Sequence, residues 1–139
     1  MTLRLSKLLP LVLLTLFLGT VAHAQKLESL NATAKGKGTI STSVDKLTIN
    51  SVMVVLKENG DAEFTFYCDL QLSAKGRWSA KGALDQGVDL EITGGVVTGD
   101  ASGNGKLLLR PDGKSIDKLN IDAKTMGGRK VTIRFVANK

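Results

Sequence analysis

The stretch AEFTFYCDLQLSAKGRWSAKGAL, from Ala62 to Leu84, decides the fold of this chain. Apolar or small residues occupy its even-numbered positions, and mostly polar residues occupy the odd-numbered ones. That period of two predicts β-strand with one dry face. Fully extended, the stretch would span roughly 75 Å at about 3.3 Å per residue, whereas a domain of this size is about 35 Å across. The stretch must therefore fold back on itself.

The phase of the alternation predicts where the stretch turns. A three-residue loop keeps the even/odd phase from one strand to the next, whereas a two-residue loop reverses it. Because the phase is kept throughout, we expect three-residue loops at Ala74–Gly76 and Asp85–Gly87, each closed by a glycine in the left-handed region. Trp78 would then pair with Gly94, and Cys68 would be a buried, unreactive thiol on the dry face.

The segment before this stretch predicts a hairpin. Lys46 to Lys57 alternates like a strand, and Asn59-Gly60 is typical of a two-residue type I′ turn. A turn centred there pairs Val55 with Phe64. The other face of the second strand then carries an apolar stripe formed by Val52, Val54 and Leu56. Such a stripe is unusual on a solvated surface, and we interpret it as a possible surface for a protein partner.

Further strands flank this central part. Leu30 to Ile40 predicts a first strand with small inward residues, and Gly94-Gly95 predicts a bulge. Glycine-containing turns are expected at Ser102–Gly105, Pro111–Gly113 and Met126–Gly128. The last of these pairs Leu119 with Phe135, and the phase of the seventh strand requires a bulge near Asp117.

The pattern predicts an all-β fold of about eight antiparallel strands joined by tight hairpins. No segment has helical periodicity, and no connection is long enough to join a parallel pair. Consecutive hairpins form a meander, which loses its exposed edges when the last strand pairs with the first. We therefore expect a closed up-and-down β-barrel, with a two-sheet β-sandwich as the alternative.

Residues 1–24 are typical of a cleaved secretory signal peptide. Arg4 and Lys7 precede an apolar run from Leu8 to Leu18, and Ala22-His23-Ala24 forms a small-x-small cleavage site. The run is too short for the ~20 residues that span a bilayer. We expect residues 25–139 to form one domain that is periplasmic or secreted, with no stable membrane insertion after cleavage.

Catalytic and metal chemistry find little support in the sequence. The single histidine, His23, lies in the predicted signal peptide, which excludes triads, Cys–His dyads and histidine metal sites from the exported domain. Asp100, Ser102 and Asn104 alternate like the start of a calcium loop, but the position of its last ligand is Pro111. We expect no enzyme activity, no metal and no cofactor.

The charge pattern argues against nucleic acid. The chain carries a formal charge of +6, but its cations are spread along the strands with no aromatic residues between them. Binding of single-stranded nucleic acid combines a basic groove with stacking aromatics. We therefore predict a solvated basic surface that keeps the domain soluble.

The predicted interior holds the most functional information. An eight-stranded barrel is just wide enough to be filled by side chains or to hold one small ligand. Small inward residues on one arc, facing large ones on the other, could leave an apolar pocket or let a flattened barrel close with a dry core. For the pocket, the lining would be Phe64, Phe66, Leu70, Trp78, Ile92 and Phe135.

Gly76-Arg77-Trp78 matches the G-x-W motif of the lipocalins, and the predicted architecture resembles the lipocalin and calycin barrels. In lipocalins this motif lies on the first strand, whereas here it lies on the fourth predicted strand. The resemblance implies a non-catalytic module that binds a small hydrophobic molecule inside the barrel. The alternative is a structural or protein-interaction domain of the cell envelope with a dry core.

Overall fold

The computed structural model describes residues 29–95 and 101–139. The predicted signal peptide, residues 1–24, lies outside the described residues. The described part consists of eight strands and one 3₁₀ turn, Leu84–Gln86. The strands are β1 (Leu30–Ser41), β2 (Lys46–Leu56), β3 (Asp61–Tyr67), β4 (Gln71–Ser79), β5 (Val88–Gly95), β6 (Ser102–Leu109), β7 (Ile116–Lys124) and β8 (Lys130–Ala137).

The strands form a closed antiparallel barrel in sequence order. Each strand pairs with the next, and β8 returns to pair with the second half of β1, Gly36–Ser41. The predicted closed meander is therefore confirmed, in place of the two-sheet alternative. Within the described ranges, no helix is long and apolar enough to cross a membrane.

The β7–β8 hairpin has the register predicted from the sequence. Leu119 pairs with Phe135, and Ala123 pairs with Val131. The loop is Met126–Gly128, with Gly128 at φ +78°. The predicted bulge near Asp117 is also present, because Leu108 pairs with Lys118 while Leu109 pairs with Ile116.

The β2–β3 hairpin corrects a prediction by one residue. Val54, not Val55, pairs with Phe64. The backbone N–H of Gly60 donates to the carbonyl of Lys57, and Gly60 adopts φ +93°, so the loop has three residues rather than two. A one-residue slip exchanges the two faces of a strand. The apolar stripe that was predicted to face outward is consequently fully buried in the core, and it consists of Val52, Val54 and Leu56. The protein-partner surface proposed on this stripe therefore loses its basis.

The β3–β4 turn is also misplaced in the sequence prediction. The chain reverses at Cys68–Leu70, so Ala74 and Gly76 lie within β4 and not in a loop. The turn still keeps the even/odd phase, as predicted. Leu70 is 63% exposed at the tip, and Cys68 is half-buried there instead of lying in the core.

Two further turn predictions are wrong, each for its own reason. The β4–β5 connection is not the three-residue loop Asp85–Gly87 but runs from residue 80 to 87 and includes the 3₁₀ turn, so Trp78 pairs with Leu90 rather than Gly94. The predicted bulge beside Gly94 is present, since the register shifts there.

The segment Ser102–Gly105 belongs to strand β6 and is not a turn. Its glycines lie where neighbouring backbones approach closely: an added Cβ at Gly103 would overlap the carbonyl oxygen of Asp122. Such glycines serve close strand packing and not turns.

The inward faces of all eight strands meet in one apolar core. No polar or charged side chain is buried among the described residues. Large side chains from opposite parts of the barrel are fully buried, including Phe64, Phe66 and Phe135. The aromatic part of the interior is therefore packed with side chains.

Candidate functional site

Five of the six residues predicted to line an interior pocket do share the interior. Phe64, Phe66, Ile92 and Phe135 are at most 1% exposed, and Trp78 is 5% exposed. The rings of Phe64 and Phe66 stack with centroids 6.5 Å apart. Leu70 is the exception, because it lies at the exposed β3–β4 tip.

The G-x-W segment anchors the neighbouring hairpin loop. The indole Nε1 of Trp78 donates to the carbonyl of Lys57 at 2.8 Å. The Arg77 guanidinium donates to Asp61 Oδ1 at 2.9 Å and to the carbonyl of Asn59 at 3.1 Å. These contacts hold the β2–β3 loop against β4, which gives both side chains a structural role at that end of the barrel.

The hollows of the described surface open to solvent. One of about 370 Å³ lies on β3 and β4, lined by outward-facing residues such as Glu63 and Lys75 and by the core residues Phe64 and Ala74. Another, of about 350 Å³, lies beside Arg77, Trp78 and Glu91. The aromatic side chains of the core are at most 5% exposed, so the room for a ligand lies at the surface.

One end of the barrel carries the apolar loop tips. The loops after β1, β3 and β7 all lie at this end. We call these three segments together the lysine rim: Ser41–Lys46, Tyr67–Gln71 and Lys124–Lys130. Among the described residues, three of the four large apolar side chains that are exposed occupy these loops: Val44 (69%), Leu70 (63%) and Met126 (87%). The fourth, Val136, lies on the barrel wall.

The lysine rim also contains an unusual charge pair. Lys124 on β7 lies directly opposite Lys130 on β8. Elsewhere in the described sheet, charged residues that pair directly have opposite signs: Asp61 with Arg77, Glu63 with Lys75, Arg77 with Glu91, and Asp89 with Lys106. Like charges at directly opposite positions destabilise a sheet. The Lys124–Lys130 pair is thus an exception that costs stability.

A hollow of about 490 Å³ lies beside this lysine pair. Ser102 and Thr132 supply hydroxyl groups to its wall, and Asp122 also borders it. The Asp122 carboxylate is already engaged by the Arg134 guanidinium, at 3.0 and 3.2 Å. Asp122 is thus paired with Arg134, and Lys124 and Lys130 give the hollow a cationic edge suited to an anion.

The lysine pair was not predicted from the sequence, although a signal for it was present. The loop Met126–Gly128 fixes Ala123 opposite Val131, and the same register places Lys124 opposite Lys130. Reading the outward positions of that hairpin as well as the inward ones would have found it.

The opposite end of the barrel contains Asp112, the one carboxylate in residues 29–95 and 101–139 whose pKa departs clearly from its ordinary value. Asp112 accepts hydrogen bonds from the Ser115 hydroxyl at 2.6 Å and from the backbone N–H groups of Lys114 and Ser115. These bonds lower its pKa from 3.8 to about 2, with the Ser115 hydroxyl as the largest cause. The carboxylate orders the β6–β7 turn, and its hydrogen bonds all lie within that turn.

Within residues 29–95 and 101–139, no group of three or more His, Cys, Asp or Glu side chains could hold a metal ion. Asp100, the first member of the partial calcium pattern, lies outside the described residues. Ser102 and Asn104, its other members, lie within strand β6.

Comparison with known proteins gives no family for this chain. No family, no curated protein and no solved structure matches it. The barrel architecture agrees with the lipocalin resemblance at the level of fold, and function has to be argued from the site itself.

Proposed function

We propose that this chain is an exported, non-catalytic β-barrel module that binds its partner through the lysine rim. The observation that carries the proposal is the placement of Val44, Leu70 and Met126 on three loops of one barrel end. Solvent-exposed large apolar side chains cost free energy unless something covers them. Because the strands share one apolar core, the interior would serve as scaffold and the rim as binding surface.

Site-specific photo-crosslinking tests this proposal in the cells that produce the protein. A photoreactive residue in place of Met126 should give adducts, whether with lipid or with protein. The matched control places the same residue at Lys114, an exposed position at the opposite end. Adducts at position 114 but not 126, or at neither position, would contradict the proposal.

Export is the second part of the proposal and needs its own measurement. It rests on the n-region, apolar run and cleavage site of residues 1–24. Amino-terminal sequencing of the protein from the periplasmic fraction or the medium should begin at Gln25. An intact Met1 in the cytoplasmic fraction would overturn it.

A small hydrophobic ligand inside the barrel is the second candidate. It is favoured by Leu47 and Leu72, which face inward near the lysine rim yet are only partly buried. That end of the core is therefore the place where a ligand could enter. The packed aromatic interior favours the rim proposal over it.

Native mass spectrometry separates the two candidates. Under the rim proposal, protein purified from its own cells should have the mass of the chain alone, or of the chain with a partner whose removal leaves the emission spectrum of Phe66→Trp unchanged. A retained small molecule whose removal changes that spectrum would favour the interior ligand.

A further inference from the structure

We propose that the lysine rim docks on an anionic lipid surface, with the Lys124–Lys130 pair facing lipid phosphates and the three apolar tips entering the headgroup region. This inference rests on the proposed function and names the partner. Two independent features lie at this end of the barrel. Two lysines pair directly across neighbouring strands, and three large apolar side chains are exposed to solvent.

The lysine rim carries an excess of positive charge. The lysine rim holds four cations, Lys46, Lys124, Arg129 and Lys130, against two acids, Asp45 and Asp69. None of the four cations forms an ion pair in the described part of the chain, as is also true of eight of the twelve cations described elsewhere on the barrel. What distinguishes the rim is that two of its cations, Lys124 and Lys130, lie directly opposite each other. An anionic surface would offset the repulsion that the Lys124–Lys130 pair suffers in the free protein.

The rim also exposes large apolar side chains. Met126 lies in the loop that joins the two lysine-bearing strands, and it is 87% exposed. Val44 and Leu70 lie in separate loops of the same rim. Apolar side chains beside cations are the combination that binds the interface of anionic membranes, because the chains enter the headgroup boundary while the cations meet phosphate. A soluble anion would use the lysines but would leave the tips in water.

The large apolar side chain that is exposed on the barrel wall has different surroundings. The exposed Val136 on the barrel wall has Lys37 and Lys118 as its direct neighbours on β1 and β7. Their aliphatic stems can cover it, as long cationic side chains do over apolar surface. The rim tips have no equivalent neighbours in the described pairing, since they lie in loops beyond the ends of the strands.

Vesicle binding by the protein expressed from its full-length sequence tests the inference. Sedimentation with vesicles of phosphatidylglycerol and phosphatidylethanolamine should recover the protein, and vesicles of phosphatidylcholine alone should not. Binding should weaken as salt is raised, because exposed charges are screened. The double substitution Lys124→Gln and Lys130→Gln should lower the affinity about 30-fold, the effect expected for two cations lost near an anionic surface.

The matched control is Lys81→Gln with Lys114→Gln. It removes the same charge from exposed positions at the opposite end of the barrel and should change the affinity less than about threefold. Thermal unfolding of both double variants checks that they remain folded. Equal losses in the two variants would mean that net charge drives the binding and would overturn the docking geometry.

A polarity-sensitive fluorophore reports whether the tips enter the lipid. In a Cys68→Ser background, the label is placed by Met126→Cys at the rim or by Lys114→Cys at the opposite end. Addition of the anionic vesicles should shift the emission to shorter wavelength at position 126 only. A shift at 114 alone, or binding without a shift at 126, would overturn insertion by the tips.

Two outcomes distinguish this inference from the function on which it rests. If inorganic phosphate binds in a manner sensitive to Lys124→Gln while vesicles do not bind, the hollow is a soluble-anion site and the lipid inference is wrong. If vesicles do not bind but photo-crosslinks at position 126 lead to a protein, the rim remains a binding surface for a different partner. Loss of both vesicle binding and crosslinks removes the rim proposal as well.

Discussion

Gly76 occupies a position in β4 that allows β5 to pack closely. A Cβ added there would overlap the backbone carbonyl oxygen of Glu91, which cannot move without disturbing the β4–β5 pairing. The same holds for Gly103 against the carbonyl of Asp122. Small residues at such inward positions let the sheet curve tightly into a barrel with a filled interior.

Substitution of Gly76 by alanine should therefore destabilise the protein by about 1–3 kcal/mol, the usual cost of overpacking. Gly127 is the control: it is exposed in the β7–β8 loop, with Thr125 Oγ1 at 3.9 Å as the nearest atom to an added Cβ. Gly127→Ala should change stability by less than about 0.5 kcal/mol. Urea unfolding followed by Trp78 fluorescence measures both. Equal stability of the two variants would show that the β4–β5 backbone yields easily.

Asp112 should make stability depend on pH in the acid range. Its pKa of about 2 in the folded state lies below the ordinary value of 3.8, so its contribution is present above pH 4 and is lost as the pH falls toward 2. The melting temperature of the native protein should therefore fall more steeply between pH 4 and 2 than that of Asp112→Asn.

A carboxyl titration by NMR checks the cause of this pKa. The Ser115 hydroxyl contributes most to the shift, so Ser115→Ala should raise the pKa of Asp112 toward 3.8. An unchanged titration in Ser115→Ala would assign the shift to the backbone N–H groups alone.

Among the elements, β2 shows that a shift of one residue decides which side chains of a strand face the core. The alternation in this strand changes phase between Ile49 and Val52, both of which are buried. The register of β1 against β2 shifts in the same region, between Lys35 and Gly38. The interior-facing residues of the strand are therefore odd-numbered before this point and even-numbered after it.

The two faces of β2 can be tested with neighbouring substitutions. Val54→Lys buries an unpaired charge in the core and should cost more than about 4 kcal/mol, enough to unfold a domain of ordinary stability. Val55→Lys faces outward opposite Glu63 and should be tolerated within about 0.5 kcal/mol. Circular dichroism and urea unfolding distinguish them. A folded Val54→Lys together with an unfolded Val55→Lys would restore the register expected from Asn59-Gly60.

The sequence predicted the elements better than their ends. Strand phase correctly placed Phe64, Phe66 and Trp78 on one face, because alternation is set by the backbone itself. It could not choose between Cys68–Leu70 and Ala74–Gly76 as the loop, since both have three residues and keep the phase. Only the closing of the barrel, which brings β5 against Gly76, decides between them.

The binding surface was harder to predict for a related reason. Interior residues can be recognised from their hydrophobicity, which led to the correct interior placement of Ile92 and Phe135. The rim is formed by loops that come to the same end of the barrel only when the eight strands pair. Val44, Leu70 and Met126 are far apart in the sequence, so no local pattern connects them.

For the whole molecule, barrel closure depends on one pairing that no loop enforces. The other seven strand pairs join neighbours in the sequence, whereas β1 and β8 come from opposite ends of the described chain. We call the pairing of β1 with β8 the seam. Gly36 and Gly38 lie in it, and an added Cβ at Gly38 would overlap the carbonyl oxygen of Arg134. Because a long chain separates the two strands, re-forming this pairing costs more loop-closure entropy than re-forming a hairpin.

The seam should therefore be the first part of the sheet to open when it is weakened. In Gly38→Ala, amides of β8 and of the second half of β1 should exchange with deuterium at least about tenfold faster, while those of β3 and β4 keep their rates. The control is Gly105→Ala, whose Cβ would overlap the carbonyl oxygen of Asn120, so its effect should centre on β6 and β7. An opened seam exposes two strand edges, and we also expect light scattering to rise with protein concentration for Gly38→Ala. A uniform acceleration in all eight strands would instead mean that the barrel opens only by unfolding as a whole.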